Sequence, residues 1–308
     1  MRPPPLPSRT TASSLRAIIV VVALVLILPA IANAELILDA EVRVTAEDNI
    51  VGLLSGGGAS GTGGSTMGGA VVQAGGKGFG SGPGSGSGSG GSGSYTGSGA
   101  QSPGDLSVTI MAELGGSGRA GDGLAFYALG FAERTDYQEL SEYDQTAAGM
   151  TAGATLRLSE AFAAGLAGTG RTKRYDNDPD RDGTSAIGTV SLKQYGPGTL
   201  FFREAAEYET YDAAYQDFSF RGTAYRITAG YDLTSSLLVT AGFRFQSQQY
   251  QDGAATVLRT RTTSIVTDYA LTRRWSTWLA YERQTTHSGT SDVITRNNIL
   301  SIALRWAY

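Results

Sequence analysis

The stretch that decides the fold is Leu300-Ser301-Ile302-Ala303-Leu304-Arg305-Trp306-Ala307-Tyr308, at the end of the 308-residue sequence. Large apolar side chains alternate strictly in it with small or polar ones. Because successive side chains of a β-strand point to opposite faces, one face of this segment is apolar and the other is polar. The segment is therefore predicted to be an amphipathic strand that ends on an aromatic residue.

The same alternation recurs along the rest of the chain. It is clearest at 225–233 and 237–246, where apolar residues occupy every second position. The predicted strands are 36–46, 105–114, 124–134, 145–157, 162–174, 184–194, 199–210, 218–232, 237–249, 256–271, 275–286 and 292–308. They predict an all-β fold, a single transmembrane antiparallel up-and-down β-barrel of about 12 strands. A soluble β-sandwich with the aromatic residues in its core is the alternative.

The connections between the predicted strands are of two kinds. The short ones lie at 115–123, 158–161, 195–198, 232–236 and 271–274. The longer, polar ones lie at 47–104, 135–144, 175–183, 211–217, 250–255 and 287–291. Outer-membrane barrels have short periplasmic turns and longer extracellular loops, so both ends of the barrel are predicted on the periplasmic side. Residues 36–46 are then expected to pair with the last strand and close the barrel.

Two further segments frame the predicted barrel. Residues 1–34 are predicted to be a secretory signal peptide, with a basic start, an apolar run at 17–28 and a small-x-small cleavage site at its end. That run is shorter than the ~20 residues that a membrane-spanning helix needs. The barrel domain is predicted over 35–308, with a disordered Gly/Ser-rich extracellular loop at 55–104, where 22 residues are glycine.

Composition narrows the function classes. The sequence contains no cysteine, which excludes disulfides and a lipoprotein anchor. Its net charge is −4, and it falls to about −7 without the three arginines of the predicted signal, whereas nucleic-acid binding needs a cationic surface. No nucleic-acid partner is therefore expected.

Aromatic residues are concentrated near strand ends and predict two interfacial belts. Those beside the short turns are Phe162, Tyr231, Tyr269, Trp275, Trp306 and Tyr308. Those beside the long loops are Tyr137, Tyr143, Tyr175, Tyr208, Tyr211 and Tyr250. Both sets are expected on the lipid-facing exterior, as in membrane barrels.

When alternate positions are assigned to lipid, a mixed set of charged residues turns toward the barrel interior. These lumen-lining candidates are Asp39, Glu41, Arg43, Glu113, Arg157, Arg171, Arg203, Glu207, Arg226, Arg244, Asp268, Glu282 and Arg305. Such charges would either line a water-filled pore and set its selectivity, or neutralise one another and fill the interior. A barrel of 12 strands lies between filled small barrels and open porins, so the sequence leaves both readings open.

A short acidic motif suggests a metal site. Asp178-Pro179-Asp180-Arg181-Asp182-Gly183 matches the opening of a calcium-binding loop, with Asp178, Asp180 and Asp182 as candidate ligands. The position where such a loop carries its bidentate glutamate is occupied by Thr189. Calcium is therefore the only cofactor that the sequence suggests, and a solvated acidic hairpin tip is the alternative.

Catalysis is not expected. His287 is the only histidine, and outer-membrane phospholipases place a serine two positions after theirs, where this chain has Gly289. Ser288 would point away from His287, so His287 is predicted to be a surface-loop residue without a catalytic role. The Arg259/Arg261 and Arg273/Arg274 pairs are expected to be solubilising charge, with interfacial anchors or lipopolysaccharide-phosphate contacts as the alternatives.

The chain resembles known outer-membrane barrels in three places. Its terminal aromatic strand is similar to their C-terminal signature. The step Ala46-Glu47-Asp48-Asn49-Ile50, with turns such as Tyr231-Asp232-Leu233-Thr234, resembles an uncharacterised β-barrel porin group. Some members of that group accompany exopolysaccharide export. A count of 12 strands also resembles autotransporter translocators, although 55–104 cannot form the helix that those thread through the pore.

This resemblance implies a place in the bacterial outer membrane. The implied partners are outer-membrane lipid and lipopolysaccharide, the barrel-assembly machinery, and export partners. The expected function is a non-enzymatic pore for small solutes or a barrel that assists surface-polymer export. The alternative is a closed structural or adhesive barrel whose extracellular loops bind a partner.

Overall fold

The computed structural model describes residues 35–48, 104–121, 123–251, 256–289 and 294–308. The predicted signal peptide at 1–34 and the predicted loop at 55–104, except for Gly104, lie outside the described residues. No helix in the described ranges is long and apolar enough to cross a membrane.

Twelve antiparallel strands form one closed barrel, as predicted. They are β1 Glu35–Glu47, β2 Asp105–Ala120, β3 Leu124–Tyr137, β4 Gln145–Arg157, β5 Phe162–Tyr175, β6 Gly183–Tyr195, β7 Phe201–Ala213, β8 Phe220–Asp232, β9 Leu237–Tyr250, β10 Val257–Ala270, β11 Trp275–Ser288 and β12 Ile294–Ala307. Each strand pairs with its neighbours in sequence, so the topology is up-and-down throughout. Three single-turn 3₁₀ helices lie in the long connections, at Ser141–Tyr143, Pro179–Arg181 and Gln216–Phe218.

The predicted closure of the barrel is present. β1 pairs antiparallel with β12, with Glu41 opposite Arg305 and Val44 opposite Ile302. The Tyr308 amide donates a hydrogen bond to the Leu38 carbonyl at 3.0 Å, which extends the seam to the last residue. No edge strand is left unpaired, which is what a strand-built membrane protein requires.

The outside of the barrel is apolar, as the alternation of the last strand predicted. Leu300, Ile302 and Leu304 expose 51%, 54% and 44% of their surface, whereas Ser301 and Ala303 face inward and are buried. Phe162, Tyr231, Tyr269, Trp275 and Tyr308 are exposed beside the short turns, where the periplasmic belt is predicted. A continuous apolar exterior of this kind is stable only in lipid.

Of the predicted strand boundaries, the end of β2 differs most from the structure. β2 continues to Ala120 instead of ending at residue 114, because Gly115 and Ser117 still pair with Leu129 and Tyr127. Glycines carry no side chain whose alternation would reveal a strand, yet their backbone groups complete the ladder. The turn that follows is short and contains Gly121, whose φ of 68° suits glycine.

The predicted extracellular aromatic belt is wrong. Tyr175, Tyr211 and Tyr250 are 7%, 2% and 3% exposed and lie on the inner face, and Tyr137 shares their face. Of the strand residues in this set, only Tyr208 points outward, with 50% of its surface exposed. Proximity to a long loop therefore did not determine the face; the position of each tyrosine in the alternation did.

Aromatic side chains pack over glycines on the inner face. Tyr127 lies directly across from Gly153 in the β3–β4 ladder, and a Cβ added to Gly153 would stand 2.7 Å from the ring. A glycine at this position lets a bulky ring lie flat against the neighbouring strand, as in other sheets where aromatic residues cover glycines.

We expect Gly153→Val to lower the free energy of unfolding by about 1–3 kcal/mol, because overpacking forces the Tyr127 ring away. Gly170→Val is the matched control, since Gly170 is exposed and nothing lies within 4 Å of its added Cβ. Urea unfolding in detergent micelles measures both variants. Equal losses at the two positions would mean that the Tyr127–Gly153 contact is not the cause.

Candidate functional site: the barrel lumen and its extracellular cap

The inner face of the barrel carries the charged residues that the alternation assigned to it. Of the predicted set, Glu41, Arg43, Glu113, Arg171 and Arg305 are buried. Asp39, Arg203, Glu207, Arg226, Arg244, Asp268 and Glu282 are half-buried, and Arg157 is exposed at the periplasmic end of β4. Their role in lining a pore stays a prediction. The same alternation would have identified Glu133, Lys173, Lys193 and Glu209, which also face inward.

Glu41 is the centre of a buried network at the β1–β12 seam. Its carboxylate accepts hydrogen bonds from Arg43 Nη2 at 2.6 Å and from Arg305 Nη2 at 2.9 Å. The Trp278 indole also donates a hydrogen bond to this carboxylate at 3.1 Å, and its ring lies 5.0 Å from the Arg43 guanidinium. One carboxylate therefore holds two arginines and ties β1, β11 and β12 together across the closure.

A second network lies at mid-height on the opposite side of the barrel. Glu207 on β7 pairs with Arg226 on β8 at 3.3 Å and with Arg244 on β9 at 2.9 Å. The side chains of Glu207, Arg226 and Arg244 remain 16%, 19% and 11% exposed. These values are higher than those of Glu41 and Arg43, 2% and 7%, whereas Arg305 is as exposed as Arg244, at 11%.

Like charges face each other across neighbouring strands. Lys193 is opposite Arg203, and Arg226 is opposite Arg244, which gives the inside of β6–β9 a basic surface, here called the basic wall. Across the barrel, Asp39 is opposite Glu113 in the β1–β2 ladder. Directly opposed like charges destabilise a sheet unless water or counterions screen them. Neither Lys193 nor Arg203 forms a close ion pair among the described residues. Lys193 Nζ instead lies 4.9 Å from the Tyr195 ring and 4.2 Å from the Phe201 ring, and the Asp232 carboxylate acts on it from a longer distance.

The extracellular half of the lumen is packed more tightly. Arg171 pairs with Glu209 at 3.4 Å and donates to the Ser185 hydroxyl at 3.0 Å. Lys173 is only 1% exposed and is the next inward-facing residue of β5 after Arg171. Ala147 on β4 pairs with Lys173 on one side and with Glu133 on β3 on the other, so Lys173 and Glu133 lie at the same level two strands apart. Charged side chains thus fill this level of the barrel instead of lining an open bore.

An aromatic cluster lies at the extracellular end of the inner face. Tyr211, Phe220, Tyr250 and Leu258 form one buried group that spans β7 to β10. The Phe220 ring lies 5.5 Å from the Tyr211 ring and 5.5 Å from the Tyr250 ring. Together with the loops described next, this group forms what we call the extracellular cap.

Arg181 joins three loops over this cluster. Its guanidinium lies 4.7 Å from the Tyr143 ring and 5.5 Å from the Phe218 ring, so it bridges the 3₁₀ turns that follow β3 and β7. Asp178 pairs with it at 2.7 Å. Burial raises the pKa of the Tyr143 hydroxyl while the Arg181 charge acts in the opposite direction, and the group stays neutral near pH 7.

Backbone contacts also connect the loops. The Ala214 amide donates to the Asp182 carbonyl at 2.6 Å, and the Asn177 side chain donates to the Ser141 carbonyl at 2.9 Å. The loops after β3 and β5 each contain the same kind of internal hydrogen bond. The backbone amide of the tyrosine that ends the strand donates to the side chain of an aspartate seven residues later, from Tyr137 to Asp144 and from Tyr175 to Asp182. The extracellular cap is therefore an ordered structure of interlocked loops.

The aspartates of the predicted calcium loop are engaged separately. Asp178 pairs with Arg181, and Asp182 accepts a hydrogen bond from the Tyr175 amide. The part of the chain that the structure describes holds no group of three or more acidic or histidine ligands suited to a metal ion. Calcium binding by Asp178, Asp180 and Asp182 stays an untested prediction.

His287 was predicted to lie in a surface loop, but it is the second-last residue of strand β11. It is half-buried on the outward face, opposite Arg259 on β10 and Ile294 on β12, whereas Ser288 is buried on the inward face. The two side chains point to opposite sides of the sheet, as expected from their adjacent positions.

Known proteins resemble this chain in fold. No family model matches the sequence, and neither does any curated protein. The COG4313 outer membrane channel from Pseudomonas putida F1 superposes with a TM-score of 0.58 at 11% identity, covering 89% of this chain and 95% of that one. The NanC porin (TM-score 0.44, 15% identity) covers 64% and 93%, and the DcaP channel of Acinetobacter baumannii (0.39, 11%) covers 90% and 98%. With its apolar exterior, the chain is a bacterial outer-membrane β-barrel in architecture and location.

Proposed function

We propose that this barrel is a non-enzymatic outer-membrane pore for small hydrophilic solutes, narrowed by charged side chains and covered outside by the extracellular cap. The observation that carries the proposal is the basic wall. A barrel built only for stability would pair its buried charges, because unpaired charges in a dry interior cost several kcal/mol each. Lys193 and Arg203 oppose each other and neither forms a close ion pair among the described residues, since the Asp232 carboxylate acts on Lys193 only from a longer distance. Such an arrangement is tolerable in a water-filled space.

Small solutes fit this lumen better than a polymer. The half-buried residues of the basic wall keep part of their surface exposed, whereas Lys173, Tyr211 and Phe220 are almost fully buried in the extracellular half. A polymer in transit would require a wide outlet at that end. Export partners and the barrel-assembly machinery therefore remain predictions, with no described contact that favours either.

The charge of the basic wall should control ion selectivity. We expect Lys193→Gln/Arg203→Gln to shift the reversal potential in a salt gradient toward cation preference, because two positive charges that form no close ion pair leave the lumen. The measurement is planar-bilayer recording in asymmetric KCl. Arg174→Gln/Arg221→Gln removes the same charge from the exterior and should leave the reversal potential unchanged. A shift of equal size in both variants would reject the basic wall as a lumen element.

A closed barrel whose loops bind a partner is the second candidate. The extracellular cap favours it, since interlocked loops with a buried arginine make a rigid surface. The two candidates separate on permeation: a closed barrel would conduct no ions after the cap is loosened, and a pore would.

A further inference from the structure

We propose that the lumen holds a binding site for a small organic anion that carries several hydroxyl groups. Lys193 and Arg203 bind the anionic group, and the inner face of β4–β6 beside them binds the hydroxyl groups. This proposal rests on the proposed pore function, because it names the class of solute that the pore admits. Binding itself does not require conduction, so the two can be tested separately.

The inner face of β4–β6 near the periplasmic end is lined with small and hydroxyl-bearing residues. Thr155 pairs with Gly165 and Gly165 with Ser191, while Ala167 on the next row pairs with Thr189. All five residues are half-buried and occupy inward positions of their strands. We call these five residues the hydroxyl floor.

The centre of the hydroxyl floor carries no long side chain. A Cβ added to Gly165 would stand 2.7 Å from Ser191 Oγ and 3.7 Å from Thr155 Oγ1, so two hydroxyl groups flank this glycine closely. The hydroxyl groups of Thr155, Thr189 and Ser191 form no hydrogen bond with another described residue. Each can therefore both donate a hydrogen bond to a hydroxylated ligand and accept one from it.

Two cations border the hydroxyl floor. Lys193 is the next inward residue of β6 after Ser191, and Arg203 lies opposite Lys193 on β7. Both cations are half-buried, and neither forms a close ion pair among the described residues. An anionic group between them removes the repulsion of two opposed like charges. Ammonium and guanidinium groups hold carboxylate and phosphate groups through strong, charge-assisted hydrogen bonds.

The charge around the site favours an anion. No inward position of β4, β5 or β6 carries an aspartate or glutamate. Asp232 acts on Lys193 only from a longer distance. Glu207 on β7 is held by Arg226 at 3.3 Å and by Arg244 at 2.9 Å, so its charge is already compensated. The basic wall therefore keeps an excess of positive charge beside the hydroxyl floor.

The spacing of the two parts determines the kind of ligand. From strand spacings, the hydroxyl floor and the two cations together extend about 14 Å across β4–β7. An inorganic anion is too small to reach Arg203 and the hydroxyl group of Thr155 at once. A chain of several hydroxylated carbons that ends in a carboxylate or phosphate group contacts both parts of the site.

Ligand-observed NMR titration of the refolded protein in micelles of a sugar-free detergent tests this proposal. The probes are gluconate and sorbitol 6-phosphate as hydroxylated anions, sorbitol without a charge, and propionate without hydroxyl groups. We expect both hydroxylated anions to bind roughly tenfold more tightly than sorbitol or propionate, which corresponds to about 1.4 kcal/mol. Equal affinity for gluconate and propionate would overturn the proposal.

Two variants assign the parts of the site. Lys193→Gln/Arg203→Gln should lower the affinity for gluconate roughly tenfold or more, because the charge-assisted contacts are lost. Thr189→Val/Ser191→Ala should lower the affinity for gluconate toward that of propionate and leave the affinity for propionate unchanged. An equal loss for both probes in the second variant would contradict a role for the hydroxyl floor.

The matched control is Arg174→Gln/Arg221→Gln, which removes the same charge from exposed exterior positions on β5 and β8. Its affinity for gluconate should stay within about twofold of the unmodified protein, and a loss equal to that of Lys193→Gln/Arg203→Gln would overturn the proposal. A protein that binds gluconate but conducts no ions would retain this site and reject the pore. A protein that conducts ions but binds neither hydroxylated anion would retain the pore and reject this site.

Discussion

Replacing Glu41 with alanine should lower the free energy of unfolding by about 3 kcal/mol or more, because it leaves two arginines buried without their shared carboxylate. The side chains of Glu41, Arg43 and Arg305 are only 2%, 7% and 11% exposed. The loss falls on the seam between β1 and β12, where the barrel closes. Urea unfolding in micelles and the temperature at which the folded band disappears on gels both report it.

A compensating variant separates charge from packing. If the orphaned arginines cause the loss, Glu41→Ala/Arg43→Met/Arg305→Met should recover part of it, since apolar groups of similar volume need no partner. Glu204→Ala is the control for carboxylate removal, because Glu204 is exposed on the lipid face and contacts only the Tyr225 hydroxyl among the described side chains. A triple variant less stable than Glu41→Ala would contradict this explanation.

Loosening the extracellular cap should open the lumen to the outside. Arg181→Ala removes two cation–π contacts and the pair with Asp178, and each desolvated cation–π contact is worth about 1–2 kcal/mol. Because the chain has no cysteine, Thr228→Cys places a unique thiol on the inner face of β8, at the level of Arg203. A small membrane-impermeant thiol reagent then reports access.

With the reagent on the extracellular side, the thiol of the Thr228→Cys protein should react slowly. Addition of Arg181→Ala should raise the labelling rate roughly tenfold or more, as expected when the cap loses more than about 1.4 kcal/mol of stability. Addition of Arg174→Ala, an exterior change near the same end of β5, should leave the rate unchanged. An unchanged rate with Arg181→Ala would mean that these loops do not control entry.

The fold was largely predictable from sequence because lipid and water impose period-two alternation on every strand. The alternation of Leu300, Ile302 and Leu304 predicts the lipid-facing side of β12 directly, and twelve segments of the sequence show such alternation. Glycines carry no such signal, which is why the alternation does not reveal that β2 continues through Gly115 and Gly116 to Ala120. The distance of a tyrosine to a long loop does not predict its face, because Tyr175, Tyr211 and Tyr250 occupy inward positions of the alternation.

The site was predictable in part. The alternation of inward and outward positions along each strand identifies which charged residues point inward, including Glu207 and Arg244, and would also have identified Lys173. It does not identify partners across the sheet, since the opposition of Lys193 and Arg203 depends on strand register. The role of Arg181 was beyond any local pattern, because it depends on two other loops that fold over it.

The most direct test of the central claim is single-channel recording of the refolded protein and of Arg181→Ala in planar bilayers. A pore predicts discrete current steps in the unmodified protein, with longer or larger openings once the cap is loosened. If neither protein conducts while both show the heat-modifiable migration of a folded barrel, the lumen is closed and the pore function is wrong.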